Sequence, residues 1–363
     1  MTRTTTATTT ATYVASIGES TGKTAVALAL AREAEERGHD VGYMKPKGTR
    51  LRSAVGKTLD EDPLLAREVL DLDAETEDLE PIVYSPTFIE GTLRGTEDSA
   101  SVRERVAEGY RTLAADRGFM IVEGGGDLAT GSVVDLADWD VADLLDAEVI
   151  LLARYGDHRD VDAVLAAARQ LGDRLQGVLF NSVAEGDFDR LRTDVLPFLE
   201  SRGIAVLGVL PSERDLAGVS IAELADELGA QVLTEEAPVD GFVERFVVGA
   251  MSAEEALRSF RRTREAVLVT GGDRADVQTA ALEAPGIECL LLTGGLTPPS
   301  AVVGQAEDRG IPVLVARSDT ITTIDRAEDV LRSGRVRRPE AIETMRGLLG
   351  DAVDLDGLLD IEG

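Results

Sequence analysis

Nine consecutive residues, Ser16-Ile17-Gly18-Glu19-Ser20-Thr21-Gly22-Lys23-Thr24, gather the groups best suited to hold a phosphate chain. They follow an apolar run at residues 13–17 and open a helical pattern at residues 24–36. In that strand–loop–helix setting, backbone N–H groups and a helix N-terminus can cradle an anion. Gly18, Glu19, Ser20, Thr21 and Gly22 would then surround the phosphates. Lys23 would reach the β- and γ-phosphates, and the Thr24 hydroxyl would ligate Mg²⁺. The spacing departs from the usual Gly-x4-Gly-Lys-Thr, because position 17 is Ile and the first glycine stands at 18. The bland alternative is a glycine-rich turn between strand and helix.

Lysine usage adds to the case. The chain has four lysines (Lys23, Lys45, Lys47 and Lys57) against 33 arginines, and all four lie in its first sixth. A compact, strongly hydrated ammonium meets phosphate as a point charge, whereas a guanidinium offers a planar fork. Lysine kept only here points to phosphoryl binding, with Lys23 and Lys45 as the candidate catalytic groups. Three more pieces stand at the C-terminal ends of apolar runs, where open parallel sheets bind ligands. Lys45-Pro46 follows residues 41–44. Glu123-Gly124-Gly125-Gly126 follows residues 119–122, with Glu123 placed as a direct or second-sphere Mg²⁺ carboxylate and its glycines allowing close backbone approach. Asn181 follows residues 177–180 and could bond a base edge through its amide. One Asn suits ATP and GTP alike.

The elements that must position these residues are legible as alternating patterns. Short Val/Leu/Ile runs at 13–17, 41–44, 119–122, 149–153, 177–180 and 206–210 predict strands buried on both faces, as in a parallel sheet covered by helices. Helices are predicted over 24–36, 101–116 and 160–171. After Pro211 the pattern restarts. Helices are predicted over 216–228, 252–260 (Ser252 as N-cap with Glu255 three residues on), 276–283 and 300–309. Strands are predicted over 243–248, 266–270, 289–293 and 313–316. A final amphipathic helix is predicted over 339–349, opened by proline. The fold class expected is α/β: a P-loop-type parallel sheet over residues 1–212, a second smaller α/β unit over 213–331, and a helical tail over 332–363.

The order Gly-Lys-Thr, Lys-Pro, Val-Glu-Gly and an Asn after a Gly-Val strand resembles dethiobiotin synthetase over residues 12–212. The resemblance implies ATP and Mg²⁺ as cofactors, with Thr24, Asp62 and Glu123 around the metal. Asp60 competes with Asp62 for that role, and a solvated acidic loop is the plainer reading of both. The second unit resembles the DRTGG domain over residues 213–331. Thr270-Gly271-Gly272-Asp273-Arg274, Leu292-Thr293-Gly294-Gly295 and Ser318-Asp319-Thr320 follow three successive strands. Asp273, Arg274, Thr293, Gly294, Gly295 and Thr320 are therefore candidates for a second small-ligand site. Tight turns serving a homodimer interface are the equal alternative. The two-domain plan resembles the N-terminal region of long phosphotransacetylases, which is regarded as regulatory, and stand-alone archaeal proteins of the same plan. Their acetyl-transferring domain is not matched. Two functions stay open. One is a regulatory or sensing protein that binds Mg-ATP. The other is an ATP-dependent carbon–nitrogen ligase or carboxylate-phosphorylating enzyme.

Composition narrows the setting. The net charge is −30, from 67 acidic and 37 basic residues, with pI near 4.4. The acid is spread along the chain, which suits a halophilic surface: at about 1 M salt the Debye length is about 3 Å and self-repulsion fades. The same field disfavours nucleic acid. No apolar stretch is long enough to span a bilayer, and the Thr-rich start has no apolar core for a signal peptide. Its first eight residues are expected to fray. Cys289 is alone in an apolar run, so it is expected to be a buried thiol in a reducing cytoplasm. His39 and His158 stand at helix ends and are not expected to do chemistry.

Overall fold

The computed structural model describes residues 9–49, 51–54, 57–213, 216, 218–261, 263–334 and 339–359. Residues 1–8, expected to fray, lie outside these. So do Arg50 and residues 335–338. The chain forms two compact units, residues 1–212 with 338–363, and residues 213–337. No helix among the described residues is long and apolar enough to cross a membrane.

In the first unit, six parallel strands form the central sheet among the described residues. They are β1 (Thr10–Ser16), β2 (Val41–Met44), β3 (Phe119–Glu123), β4 (Glu148–Ala153), β5 (Leu175–Val183) and β6 (Val206–Pro211). Their order is β6-β5-β4-β1-β3-β2. Strand β1 therefore sits centrally, between β3 (Val14 opposite Glu123) and β4 (Thr12 opposite Glu148). The order reverses there, which opens a crevice beyond the C-terminal strand ends. The strands read as unbroken apolar runs because both faces are covered. Tyr13, Ala15, Val122 and Leu151 belong to one packed cluster, and all are fully buried. Helix α1 (Lys23–Glu36) starts directly from the loop after β1, and its residues from Lys23 to Ala31 are all buried.

Between β2 and β3 the chain makes an excursion that the apolar patterns did not announce. A two-residue strand, Lys47–Gly48, pairs with Ile82–Val83. A hairpin, Leu51–Ala54 with Lys57–Asp60, leads into α2 (Asp62–Val69). The C-terminal helix Pro339–Ala352 differs from the expected tail, because it packs into the first unit. Arg346 reaches Glu33 of α1 at 2.9 Å, and a Cβ at Gly208 of β6 would lie 2.6 Å from the Ala352 carbonyl oxygen.

The second unit holds a five-stranded sheet of β7 (Gln231–Val232), β8 (Arg245–Val248), β9 (Ala266–Gly271), β10 (Ile287–Thr293) and β11 (Val313–Val315), in the order β7-β11-β10-β9-β8. Strands β8 to β11 are parallel, and β7 runs antiparallel on the edge. Alternate residues feed two cores. Val267, Val269, Cys289 and Leu291 face one side, and Leu268, Leu290 and Leu292 the other. Two expectations are corrected. The helix expected from residue 216 begins at Ile221, because Val219–Ser220 pairs with Phe242–Val243 and Ser220 caps the helix with Glu223. The strand expected over 243–248 divides at Glu244, since Phe242–Val243 and Arg245–Val248 take different partners. Ser252 caps its helix as expected, accepting from the Glu255 N–H.

Candidate functional site

The loop from β1 to α1 is compact because two residues take left-handed backbone: Ser20 at φ 52° and Gly22 at φ 91°. Glycine meets a second demand at position 22, where a Cβ would lie 2.5 Å from Asn181 Nδ2. Asn181, fixed at the end of β5, donates to the Thr21 carbonyl at 2.8 Å and accepts from the Ser182 N–H at 2.9 Å. Its amide thus holds the loop in place. Gly18 has open space around it, and Glu19 is exposed. The Thr21 hydroxyl is buried without a partner.

Lys23, the first residue of α1, donates to Ser16 Oγ at 2.7 Å and to the Gly126 carbonyl. It therefore bridges the loop to the glycines after β3. The next residue, Thr24, donates its hydroxyl to Glu123 Oε1 at 2.7 Å. The other Glu123 oxygen accepts from Tyr43 OH, also at 2.7 Å. Lys45 completes the group. Its ammonium pairs with Asp62, lies 2.9 Å from Asp60 Oδ2 and 3.8 Å from Glu123 Oε1. Lys45, Asp60, Asp62 and Glu123 are all buried. The residues that sequence singled out on three strand ends thus form one contact chain: Lys23, Thr24, Glu123, Lys45 and Asp62.

Both candidate aspartates meet the same lysine. Asp60 accepts the Asp62 N–H at 3.0 Å and the Thr49 N–H at 2.8 Å, while its own N–H donates to Glu80 Oε2 at 2.9 Å. Asp60 is bound into the backbone of the excursion, and Asp62 stands at the start of α2, where the helix dipole favours an anion. Burial pushes the Glu123 carboxyl up to about 7, against the lowering pull of Lys45. Burial draws the Lys45 ammonium down, but Asp62, Asp60 and Glu123 outweigh it and hold its pKa well above the usual range. Three carboxylates share one ammonium, so the cluster carries surplus negative charge in a dry setting. Hard oxygen donors in charge excess are the chemistry a Mg²⁺-type cation requires, and Thr24, Asp62 and Glu123 are the residues that could offer it. Among the described residues, no three His, Cys, Asp or Glu side chains stand as a ready-made metal cluster.

Lys47 leaves this site. Its side chain, fully buried, donates to Asp138 Oδ1 and to the Leu136 carbonyl, both at 2.7 Å. Asp138 opens helix α3 (Asp138–Leu145), and Tyr13 OH donates to it at 2.8 Å. Glycines make room for this pair: a Cβ at Gly125 would lie 2.3 Å from the Lys47 carbonyl oxygen, and one at Gly124 2.6 Å from Asp138 Oδ2. Lys23 thus stands in the loop and Lys45 on Glu123 beside it, whereas Lys47 turns to Asp138. Lys57 contributes backbone to the hairpin, and its side chain lies outside the described residues. Sequence reasoning missed Tyr43, Asp138, Glu80 and Arg154, whose guanidinium donates to the Ser20 carbonyl at 2.6 Å. Tyr43 alone had a signal, standing two positions before Lys45 on the same strand end.

In the second unit, the Thr293 and Thr320 hydroxyls meet at 2.7 Å. Gly294 and Gly295 turn the chain after β10 at φ 81° and 67°. Arg274 is drawn aside, donating to the Met251 carbonyl at 2.9 Å and pairing with Asp276 at 3.3 Å. Asp273 packs back against its own turn, its carboxylate 2.6 Å from where a Gly271 Cβ would sit. Thr293 and Thr320 are brought together, with Gly294 and Gly295 beside them.

A sequence profile of the AAA domain matches residues 10–220, and one of the DRTGG domain matches residues 223–330. A phosphate acetyltransferase of Pseudomonas putida is 24% identical over 352 residues, covering 91% of this chain and 49% of that protein. One from Synechocystis is 26% identical over 245 residues, covering 62% of this chain and 34% of that protein. An ATP-dependent dethiobiotin synthetase of Methanocaldococcus jannaschii is 24% identical over 200 residues, covering 53% of this chain and 90% of that protein. The chain thus spans between about a third and a half of the length of these two phosphate acetyltransferases.

Proposed function

The chain belongs to the AAA-domain family over residues 10–220, with a DRTGG domain following at 223–330, and from that premise we propose that its first unit binds ATP with Mg²⁺ in a regulatory or sensing role. One observation carries the reading: Thr24 Oγ1 and the Lys45 ammonium both lie on Glu123 Oε1, at the mouth of the loop that ends in Lys23. In this reading the triphosphate lies along residues 18–23. Lys23 exchanges Ser16 and Gly126 for phosphate oxygens, and Lys45 turns from its carboxylates toward the terminal phosphate. Thr24, Asp62 and Glu123 would hold Mg²⁺, which supplies neutralisation of the phosphate charge. Asn181 keeps the loop in register. The similarity to phosphate acetyltransferases and the DRTGG match support a regulatory module, placed in the cytoplasm in this reading. Its DRTGG unit would serve a homodimer contact or a second ligand, with Thr293, Gly294, Gly295 and Thr320 nearest to such a site and Asp273 and Arg274 at its margin.

A second reading draws on the dethiobiotin synthetase relative. There, Lys23 and Lys45 would stabilise phosphoryl transfer to a carboxylate or carbamate, followed by attack of an amine. Phosphate release from ATP separates the two. Release that stays at background with small carboxylates and amines, alongside saturable ATP binding, supports the sensing role. Stimulated release supports ligation.

A further inference from the structure

The two carboxylate oxygens of Glu123 have different partners. Oε1 accepts from the Thr24 hydroxyl at 2.7 Å and lies 3.8 Å from the Lys45 ammonium. Oε2 accepts from the Tyr43 hydroxyl at 2.7 Å. We infer that Tyr43 selects the divalent cation of the first unit, because it leaves Glu123 a single oxygen to offer, and that the selection favours Mg²⁺ over Ca²⁺. Tyr43 acts here as a positioning residue, and its role rests on the Mg-ATP reading above.

The sheet dictates the arrangement. Tyr43 of β2 pairs with Ile121 of β3, so its side chain shares a sheet face with Glu123, two residues further on. Tyr43 is fully buried and Glu123 nearly so. In so dry a setting a carboxylate oxygen without a donor is costly, which holds Oε2 on the hydroxyl. A phenol, with an ordinary pKa of about 10, stays protonated at neutral pH. It donates to Oε2 and brings no negative charge to a cation.

The two cations differ in what they need. Ca²⁺ takes about six to eight oxygens at about 2.3–2.6 Å, in flexible geometry, and commonly draws both oxygens of a carboxylate. Mg²⁺ demands near-octahedral geometry at about 2.0–2.1 Å and keeps several waters and phosphate oxygens. A carboxylate restricted to one oxygen therefore suits Mg²⁺. Ca²⁺ would gain from Oε2 only by taking it from Tyr43. Outer partners that orient a metal-binding group change metal affinity by about ten- to a hundredfold.

Calorimetric titration of the full chain with ATP, in saturating Mg²⁺ or saturating Ca²⁺, tests this. The parent should bind ATP about tenfold or more tighter in Mg²⁺ than in Ca²⁺. Tyr43→Phe keeps the ring and removes the hydroxyl, and it should cut that preference by about tenfold. A purely structural hydroxyl would weaken ATP binding in both cations alike and leave the ratio unchanged. That outcome, or a parent that takes Ca²⁺ as readily as Mg²⁺, would overturn the role given to Tyr43. The parent arm decides even where the variant does not fold. If ATP binds the parent in neither cation, the Mg-ATP reading fails by itself. Melting shifts produced by each cation without nucleotide then test Tyr43 separately. A Mg²⁺ shift larger than the Ca²⁺ shift in the parent, and not in Tyr43→Phe, sustains its role; any other pattern overturns it.

Discussion

The Thr24 hydroxyl lies 2.7 Å from Glu123 Oε1, across 99 positions of sequence. The pairing of β1 with β3 makes this possible, since Val14 lies opposite Glu123 and Thr24 is the second residue of the helix that β1 feeds. The central strand thus brings a helix-borne hydroxyl and a strand-borne carboxylate to one point. If that point holds a divalent cation, Glu123→Gln should weaken ATP binding by about tenfold or more in Mg²⁺ and leave binding in EDTA nearly unchanged. Calorimetry under the two conditions checks this.

Lys45 answers three buried carboxylates at once. Removing one partner of a buried charge group leaves the rest uncompensated, at a cost of about 3–5 kcal/mol. Lys45→Met should therefore lower the stability of the first unit by about that amount in urea unfolding. Added Mg²⁺ should restore part of the loss in the variant if the carboxylates can take a cation in place of the ammonium.

Lys47 and Asp138 offer a contrasting case, because they pair with each other and not with the carboxylates around Lys45. Lys47→Met alone should cost about 3–5 kcal/mol, and Lys47→Met/Asp138→Leu should recover most of it, since an apolar pair of similar volume needs no desolvated charge. Equal losses in the single and double variants would mean that the pair does more than satisfy itself.

These two lysines also mark what the sequence disclosed and what it did not. Strand β2 was legible to its bounds, because Val41–Met44 is an unbroken apolar run. Helix Asp160–Leu171 was legible too, with Asp at its start and Gly172 beyond its end. Lys45 and Lys47 looked alike because both follow that strand. Pro46 intervenes, however, and Lys47 enters a two-residue strand too short to show any period. The joint claim of Asp60 and Asp62 on Lys45 was hidden for a related reason, since a hairpin off the main sheet sets their direction. The docking of the C-terminal helix rests on Arg346 and Glu33, 313 positions apart, and no local pattern encodes such a pairing.

Glu80 gives a pH dependence. Burial raises its carboxyl from 4.5 to about 7 in the fold. The folded state therefore prefers the neutral acid. That contribution is fully present below the unfolded value and is lost as pH rises through about 7. Glu80→Gln fixes a neutral side chain, so the melting temperature of the variant should overtake that of the parent between pH 5 and pH 8. Parallel melting curves at both pH values would contradict the assignment.

Direct measurement of ATP binding by the parent chain and by Lys23→Ala, in Mg²⁺, bears most closely on the central claim. A lysine that meets phosphate as a charge contributes about 1.5–3 kcal/mol, which is a loss of about ten- to a hundredfold in affinity on its removal. The expected result is saturable binding by the parent and that loss in Lys23→Ala, both measured well below the melting temperature of each protein. Equal affinity in the two proteins, or no binding by the parent, would contradict it.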